Sequence, residues 1–214
     1  MNPSSTPNVA RFDAAFDALP LVAILRGVTP AGAVAVGRAL VDAGWRLIEV
    51  PLNSPEPLRS IEALVAALPD ALVGAGTVLT PTAAREVHAA GGRMIVAPNF
   101  DAAVVRESLR LGMVALPGVM TPSEAFAALA SGATALKLFP AEAIAPAAVK
   151  AMRAVLDPAV RVLPVGGITL ASMADYRAAG AAGFGIGSSL YKPGSTADEV
   201  AAQARRWAAA WRPE

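Results

Sequence analysis

The sequence predicts an α/β fold, specifically a compact (β/α)₈ TIM barrel, from three observations. Eight short apolar runs alternate with eight longer, alanine-rich segments of helical composition. Such strict alternation is typical of a parallel sheet covered by helices, and eight strand–helix units can close into a ring. The length of 214 residues suits a single domain with short loops. An open doubly wound sheet is the alternative, but the first apolar run lacks the glycine-rich turn that usually follows it in such sheets.

The predicted strands are nearly continuous apolar runs, so we expect them to be buried on both faces. In chain order they cover residues 21–25, 47–52, 71–74, 93–97, 113–116, 134–139, 160–165 and 183–186.

The predicted helices carry recognisable start signals. Thr-Pro pairs stand at residues 29–30, 80–81 and 121–122, where a threonine caps a helix and a proline occupies its first turn. The helices are expected over residues 29–43, 55–68, 80–90, 101–111, 121–130, 146–156, 170–179 and 196–211. Residues 1–18 are interpreted as an N-terminal tail or a short helix, such as 12–19, ahead of a single barrel domain over residues 19–214.

The composition argues against several classes of protein. A formal net charge of +1 gives no basic surface for nucleic acid or an anionic membrane. The absence of cysteine excludes disulfides, thiol nucleophiles and thiolate zinc sites. Residues 1–9 do not resemble a signal peptide, and every apolar stretch is interrupted before the length of about 18 residues that a membrane span needs. We therefore expect a cytoplasmic protein with no nucleic-acid or membrane partner.

Candidate functional residues follow from the predicted fold, because barrel active sites lie at the carboxyl ends of the strands. Reading those ends in order gives Arg26, Glu49, Thr77, Asn99, Lys137, Gly166, Gly167, Gly187 and Ser188.

Two ionisable residues in this set stand within apolar strands. Lys137 lies in the run 135–139 and is one of three lysines in a chain with fifteen arginines. Burial lowers the pKa of an amine, and a neutral lysine at a strand end suits Schiff-base chemistry. Alternatively, Lys137 extends to the strand end or pairs with an acid. Glu49 could be that acid, either as a proton shuttle or as a purely structural ion-pair partner.

The glycine-rich segments come after the last two predicted strands, where many barrels bind phosphate through backbone N–H groups. Glycine also serves ordinary tight turns, so both interpretations stay open. Arg26 could hold a carboxylate or phosphate, or form an ion pair at the rim. Thr77 and Asn99 could bind a substrate or only their own turns.

Metal-dependent and histidine-based chemistry is disfavoured. His88 is the only histidine and falls within a predicted helix, which argues against a histidine triad or metal cluster. Acids such as Asp42 and Glu86 also fall in predicted helices, so no carboxylate cluster is expected at the strand ends. We expect neither a metal ion nor another cofactor.

Several motifs resemble those of the 2-keto-3-deoxy-6-phosphogluconate and -galactonate aldolases. They are IEVPLNS at 48–54, GAGTV at 74–78, APN at 97–99, LKLFPA at 136–141, VGGI at 165–168 and GIGSSLY at 185–191. The resemblance runs from about residue 19 to the last predicted helix, with the motifs in family order.

The resemblance implies a class I aldolase that cleaves a phosphorylated 2-keto-3-deoxy sugar acid into pyruvate and glyceraldehyde 3-phosphate, on a compact barrel that forms a homotrimer. It implies that Lys137 is the Schiff-base lysine, that Glu49 is the general acid and base, and that Thr77 with nearby backbone holds the pyruvate carboxylate. The residues implied for phosphate binding are Gly166, Gly167, Gly187 and Ser188.

Two positions indicate a branch within this family. The phosphogluconate enzymes usually have an arginine and a threonine where this chain has Asn53 and Val165, and the segments LRGVTP at 25–30 and PLNSP at 51–55 resemble the galactonate branch. We therefore favour 2-dehydro-3-deoxy-6-phosphogalactonate as substrate, with the phosphogluconate epimer or 4-hydroxy-2-oxoglutarate as alternatives. A phosphosugar isomerase or synthase and a non-enzymatic phosphosugar-acid sensor are the rival functions, since fold alone does not decide between them.

Overall fold

Helices and parallel strands alternate along the part of the chain, residues 6–212, that the computed structural model describes. The helices are α1 (Pro7–Ala18), α2 (Pro30–Asp42), α3 (Pro57–Ala67), α4 (Pro81–Ala89), α5 (Ala102–Arg110), α6 (Pro122–Ala130), α7 (Pro146–Arg153), α8 (Leu170–Ala178) and α9 (Ala197–Trp211). The strands are β1 (Leu21–Ile24), β2 (Leu47–Pro51), β3 (Leu72–Gly76), β4 (Met94–Val96), β5 (Val114–Leu116), β6 (Gly118–Val119), β7 (Leu136–Leu138), β8 (Val162–Pro164) and β9 (Phe184–Ile186).

The strands form two parallel sheets. The larger has the order β5-β4-β3-β2-β1-β9, and the smaller has the order β6-β7-β8. Because β1 pairs with both β2 and β9, the larger sheet curls so that the first and last strands lie side by side.

Backbone contacts also join the two sheets at both seams. At one seam, the N–H of Thr134, just before β7, donates to the carbonyl of Ala115 in β5 at 2.9 Å. At the other, Val165 pairs with Gly185 as a parallel bridge, and the N–H of Ala182 donates to the carbonyl of Val162 at 2.9 Å.

The predicted helix starts are largely confirmed. Helices α2, α4 and α6 begin at the prolines of the Thr-Pro pairs. The Thr80 and Thr121 hydroxyls accept backbone N–H groups of the first turn, whereas the Thr29 side chain makes no such bond, so its predicted cap was wrong. The third helix begins at Pro57 rather than at residue 55, because Glu56 takes a left-handed conformation with φ of 42°. The short strand β6 and a single 3-10 turn at Ala141–Ala143 were not predicted.

The amino-terminal helix covers one end of the strands. Helix α1 begins at Pro7, five residues before the helix suggested at 12–19, after a further Thr-Pro pair whose Thr6 side chain caps it; residues 1–5 lie outside the described range. Phe12 and Phe16 are buried in the cluster formed by the inward side chains of the strands, and Arg161 packs its guanidinium 4.9 Å from the Phe16 ring centre and pairs with Asp13.

Contacts of α1 identify the end of the strands on which it lies. Arg11 donates to the carbonyls of Pro69 and Ala71, and Asn8 donates to that of Gly112, all of which precede a strand. Helix α1 therefore closes the amino end of the strands and leaves the carboxyl end open. A second apolar cluster fills the space between the strands and the outer helices. No helix within residues 6–212 is long and apolar enough to cross a membrane.

Candidate active site

Lys137 stands in the middle of β7, between β6 and β8, and is 6% exposed. Its Nζ lies 4.6 Å from the centre of the Phe139 ring. Burial lowers the pKa of Lys137 below its usual value of 10.5, because an ammonium in this position loses solvation; the Glu49 carboxylate opposes the effect and the Arg26 guanidinium adds to it. The strand thus holds an amine that loses its proton more readily than a lysine in water, and the neutral form is the nucleophile.

Glu49 lies on β2 and is 1% exposed. Its Oε2 is buried and has no hydrogen-bond partner among the described residues. Burial raises the pKa of the Glu49 carboxyl from 4.5 to about 7, while the positive charges of Lys137 and Arg26 lower it in part. A carboxyl with a pKa near neutrality can both accept and donate a proton at physiological pH.

Lys137 and Glu49 face the same enclosed space. Both line a small cavity of about 10 Å³ within the strands. No salt bridge within 4.0 Å joins them in the described structure, so Glu49 is not held as a tight ion-pair partner of the lysine. The other residues that line this cavity are apolar, so the two groups influence each other through a medium of low polarity.

A larger cavity of about 490 Å³ opens from Lys137 toward the carboxyl ends of the strands. The predicted site residues that line it are Arg26, Lys137, Val165, Gly166, Gly167, Gly187 and Ser188. It adjoins the smaller cavity, with which it shares Lys137 and Val165. The structure therefore brings eight of the ten predicted residues, Glu49 included, around one continuous site.

Two predicted residues lie outside both cavities. Thr77 is half-buried just after β3 with φ of 57°, a left-handed conformation that is rare for a β-branched residue. Asn99 is exposed and lines a separate small cavity beside α5, where its carbonyl accepts the N–H of Gly118 at 3.2 Å.

The two glycine-rich turns lie together at the mouth of the larger cavity. Gly166 and Gly167 have φ of 102° and 65°, conformations that other residues rarely adopt, and they lead into the start of α8. The Ser189 hydroxyl in the other turn donates to the Ile168 carbonyl at 3.2 Å and ties the turns together. Backbone N–H groups beside a helix N-terminus can bind an anion such as phosphate.

Arg26 is held at the rim by a side chain from the neighbouring loop. Its Nη1 donates to Oδ1 of Asn53 at 2.6 Å, and both residues are exposed. The next residue, Gly27, donates its N–H to the Ser54 hydroxyl at 2.9 Å. These bonds fix the first loop to the second and keep the guanidinium at the cavity edge.

The structure adds lining residues that sequence reasoning missed, chiefly Phe139, Thr169 and Pro193. Phe139 could have been found, because residues two apart on a strand share a face and it follows Lys137 by two. Pro193 comes from a loop after β9 whose path no local pattern predicts. No group of three or more His, Cys, Asp or Glu side chains within residues 6–212 is arranged to hold a metal ion.

The chain resembles known proteins over most of its length. A family model described as "KDPG and KHG aldolase" matches residues 12–204. The chain is 50% identical over 182 residues to a probable 2-dehydro-3-deoxy-6-phosphogalactonate aldolase of Rhizobium meliloti, covering 85% of this chain and 86% of that protein. It is 46% identical over 195 residues to the 2-dehydro-3-deoxy-6-phosphogalactonate aldolase of Escherichia coli, covering 91% and 95%. The solved native KDPGal structure superposes with a TM-score of 0.88 at 45% identity and covers 90% of this chain and 94% of that one.

Proposed function

The chain belongs to the KDPG and KHG aldolase family and is an aldolase, and from that premise we propose that it cleaves 2-dehydro-3-deoxy-6-phosphogalactonate to pyruvate and glyceraldehyde 3-phosphate by class I chemistry. The observation that carries the proposal is the buried amine of Lys137 facing the buried carboxyl of Glu49 at the base of an open cavity. A lysine with a depressed pKa is the group that Schiff-base catalysis requires.

In the proposed reaction, the neutral amine of Lys137 attacks the C2 ketone of the substrate. Loss of water leaves an iminium, whose positive charge can accept the electron pair of a breaking bond. The Glu49 carboxylate, directly or through a water, takes the proton of the C4 hydroxyl as the C3–C4 bond breaks. Glyceraldehyde 3-phosphate leaves, and the electron pair is retained as an enamine on Lys137.

The second half of the proposed reaction regenerates the enzyme. The enamine is protonated at C3, by the Glu49 carboxyl that has just gained a proton, and the resulting iminium is hydrolysed to pyruvate and free Lys137. One group performs both transfers, and a pKa of about 7 for Glu49 is suited to that double use because neither protonation state is strongly disfavoured. We retain Thr77 with its neighbouring backbone as the proposed holder of the pyruvate carboxylate, and Asn99 as a proposed substrate contact.

The phosphate group is proposed to bind at the two glycine-rich turns. Gly166, Gly167, Gly187 and Ser188 line the mouth of the cavity opposite Lys137, and the N-terminus of α8 lies beside them. Binding energy at this distance from the breaking bond would orient the reacting carbon atoms rather than change their chemistry.

The side chains at the two positions that distinguish the branches of the family, Asn53 and Val165, favour the galactonate epimer over the gluconate epimer. Val165 lines both cavities and presents no hydrogen-bonding group where the phosphogluconate enzymes usually have a threonine. Asn53 is engaged with Arg26 where those enzymes usually have an arginine. The two relatives that are 46–50% identical are both named for the galactonate substrate.

The test combines covalent trapping with substrate comparison. Sodium borohydride with pyruvate is expected to add a pyruvate-sized mass to the intact protein, mapped to Lys137 and absent from Lys137→Ala. Pyruvate release, coupled to NADH oxidation by lactate dehydrogenase, is then compared for the galactonate and gluconate epimers. Trapping on another residue, or none where a known aldolase is trapped, would overturn the lysine mechanism, and a higher kcat/KM for the gluconate epimer would overturn the substrate assignment alone.

We further infer that the two parallel sheets act as one closed (β/α)₈ barrel. The hydrogen bond from Thr134 to Ala115 and the bridge from Val165 to Gly185 support this, since they join the sheets at both seams. In this interpretation β5 and β6 are two parts of one strand interrupted at Pro117.

A homotrimer and a cytoplasmic location also remain proposals. We propose that subunit contacts bury large apolar side chains that are exposed in the single chain within residues 6–212, namely Leu79, Met120, Phe126 and Val155. Sedimentation equilibrium tests the trimer, and a mass of about one subunit would contradict it.

A further inference from the structure

The inward face of β3 changes abruptly from a large side chain to none. Leu72 is buried among the inward side chains of the strands, whereas Gly74 and Gly76 follow on the same face. The two glycines are therefore the inward positions of β3 that lie toward the proposed active site. Glu49 pairs in register with Gly74, and Pro51 pairs with Gly76, so the Glu49 side chain stands beside this glycine face.

Gly76 is the point of closest approach to Glu49. A Cβ atom built on Gly76 would lie 2.6 Å from Oε1 of Glu49 and closer still to Cδ and Oε2, although such atoms essentially never approach within 3.0 Å. All three of its nearest neighbours belong to that carboxyl group. The backbone of Gly76 is not in the left-handed region, so its conformation alone would admit an alanine. The only obstacle among the nearest atoms is the carboxyl of Glu49.

We propose that Gly76 is a positioning residue for the reaction: the missing side chain of Gly76 provides the seat in which the Glu49 carboxyl lies against β3, buried and aimed at the space shared with Lys137. The inference rests on the proposed function, because it assigns Gly76 a role through Glu49. Gly76 itself need not touch the substrate.

The consequence of filling the seat follows from the geometry. A methyl group at position 76 would push the carboxyl away until ordinary contact distances of about 3.5 Å are restored. Because the carboxyl is the far end of a rotatable side chain, the fold can survive this movement while the proton-transfer geometry does not. Displacements of about 1 Å can cost about 10²-fold in rate.

Burial of the carboxyl supports the same conclusion. Oε2 of Glu49 has no hydrogen-bond partner among the described residues, so the walls of its seat, rather than a donor, hold it. Its pKa of about 7 comes first from that burial, and the charges acting on it are those of Lys137 and Arg26. If the carboxyl of Glu49 were displaced, its burial and its distances to Lys137 and Arg26 would change, and its pKa would change with them.

The experiment compares Gly76→Ala, Glu49→Asp and the double variant with wild type. In wild type, Glu49→Asp should lower kcat/KM for 2-dehydro-3-deoxy-6-phosphogalactonate, because the shorter side chain withdraws the carboxyl. Gly76→Ala should lower kcat/KM about 10²-fold while the pyruvate adduct on Lys137 is still trapped by borohydride. In the Gly76→Ala background, the same Glu49→Asp change should raise kcat/KM, since the shorter side chain no longer collides with the methyl group.

The dependence of kcat/KM on pH distinguishes a positioning role from a purely structural one. The change in kcat/KM near pH 7, which reports the ionisation of Glu49, should shift to a different pH in Gly76→Ala. Gly32→Ala is the matched control, since a Cβ at Gly32 in α2 would meet its nearest neighbour only at 3.8 Å, and it should keep wild-type activity and profile.

Each outcome bears on the inference. An effect of Glu49→Asp in the same direction in both backgrounds, or a Gly76→Ala enzyme within about threefold of wild type with an unshifted pH dependence, would overturn it. If Gly76→Ala fails to fold, Glu49→Ala in the same chain should restore folding, and continued failure would also overturn it. A wild type that forms no pyruvate adduct would overturn the proposed function and this inference together, which separates the two failures.

Discussion

Replacing Glu49 by glutamine is expected to make the protein more stable at neutral and mildly alkaline pH while making it a poorer catalyst. In the folded chain, burial raises the pKa of Glu49 from 4.5 to about 7. A carboxyl whose folded pKa lies above its unfolded value stabilises the fold below pH 4.5, and this contribution is lost as pH rises through 7. Glutamine has nearly the same shape and never acquires the charge.

The magnitude follows from the difference between the two pKa values. At about 1.4 kcal/mol per pH unit, raising the pKa from 4.5 to about 7 corresponds to about 3.5 kcal/mol of stability lost well above pH 7. For a domain of this size, about 3.5 kcal/mol is equivalent to roughly 7–14 °C in Tm. Between about pH 5 and pH 8, the stability of Glu49→Gln relative to wild type should therefore increase by about 2.5 kcal/mol, which is most of this amount.

The assay is urea unfolding of wild type and Glu49→Gln at several pH values, followed by far-ultraviolet circular dichroism. Glu62→Gln, on the exposed face of α3, is the control for changing an acid to an amide. In parallel, kcat for Glu49→Gln should fall by about 10²–10⁴-fold through the loss of proton transfer. A stability difference that stays flat across this pH range, or that declines as pH rises, would refute the reasoning about burial of the carboxyl.

Three further changes test other parts of the site. Thr77→Gly should raise stability by about 1–2 kcal/mol, because glycine adopts φ of 57° without strain, and should lower kcat/KM if Thr77 holds the substrate; calorimetry and kinetics that show no gain in Tm would contradict it. Val165→Thr should shift the ratio of kcat/KM values toward the gluconate epimer by roughly tenfold, the effect of about one well-placed hydrogen bond. An unchanged ratio would show that Val165 does not determine which epimer is preferred. Gly167→Ala would bring a methyl group 2.6 Å from Glu142, in a left-handed backbone position. KM for the phosphorylated substrate should therefore rise about tenfold or more, while pyruvate is still trapped on Lys137. If substrate binding and pyruvate trapping are lost together, the variant has misfolded instead.

Periodic and capping patterns predicted most of the fold because they act locally. The Thr-Pro pairs before α2, α4 and α6 act through the backbone of a single turn, and the structure confirms each start. The start of α3 was wrong because the left-handed Glu56 delays it, and Glu56 has none of the residue character that usually announces such a conformation. The short strand β6 has two residues, too few for any period.

Most of the candidate residues that end strands lie around one cavity, and the residues that loops add to its lining were not predicted. Lys137 and Glu49 were identified because an ionisable side chain in an apolar strand is unusual, and the structure buries both. Thr77 and Asn99 satisfy the same positional rule, yet neither lines the cavity that opens from Lys137, and Asn99 lines a separate one beside α5. The role of Gly76 was not predicted, because glycine has no side chain whose chemistry could suggest one. Its role became visible only when the structure placed the Glu49 carboxyl in the space beside it.

The packing of α1 has a consequence for the order in which the molecule is built during synthesis. The helix is made before the strands that it covers, yet its Asp13 pairs with Arg161, 148 residues further along the chain, and its two phenylalanines pack against strands up to β8. Until most of the strands have left the ribosome, the apolar face of α1 has no complete surface to bury it. Contacts this distant in sequence slow folding and leave apolar surface exposed in the interval. A helix that is synthesised before the strands is thus among the last elements to dock, and its apolar face stays uncovered while the strands are made.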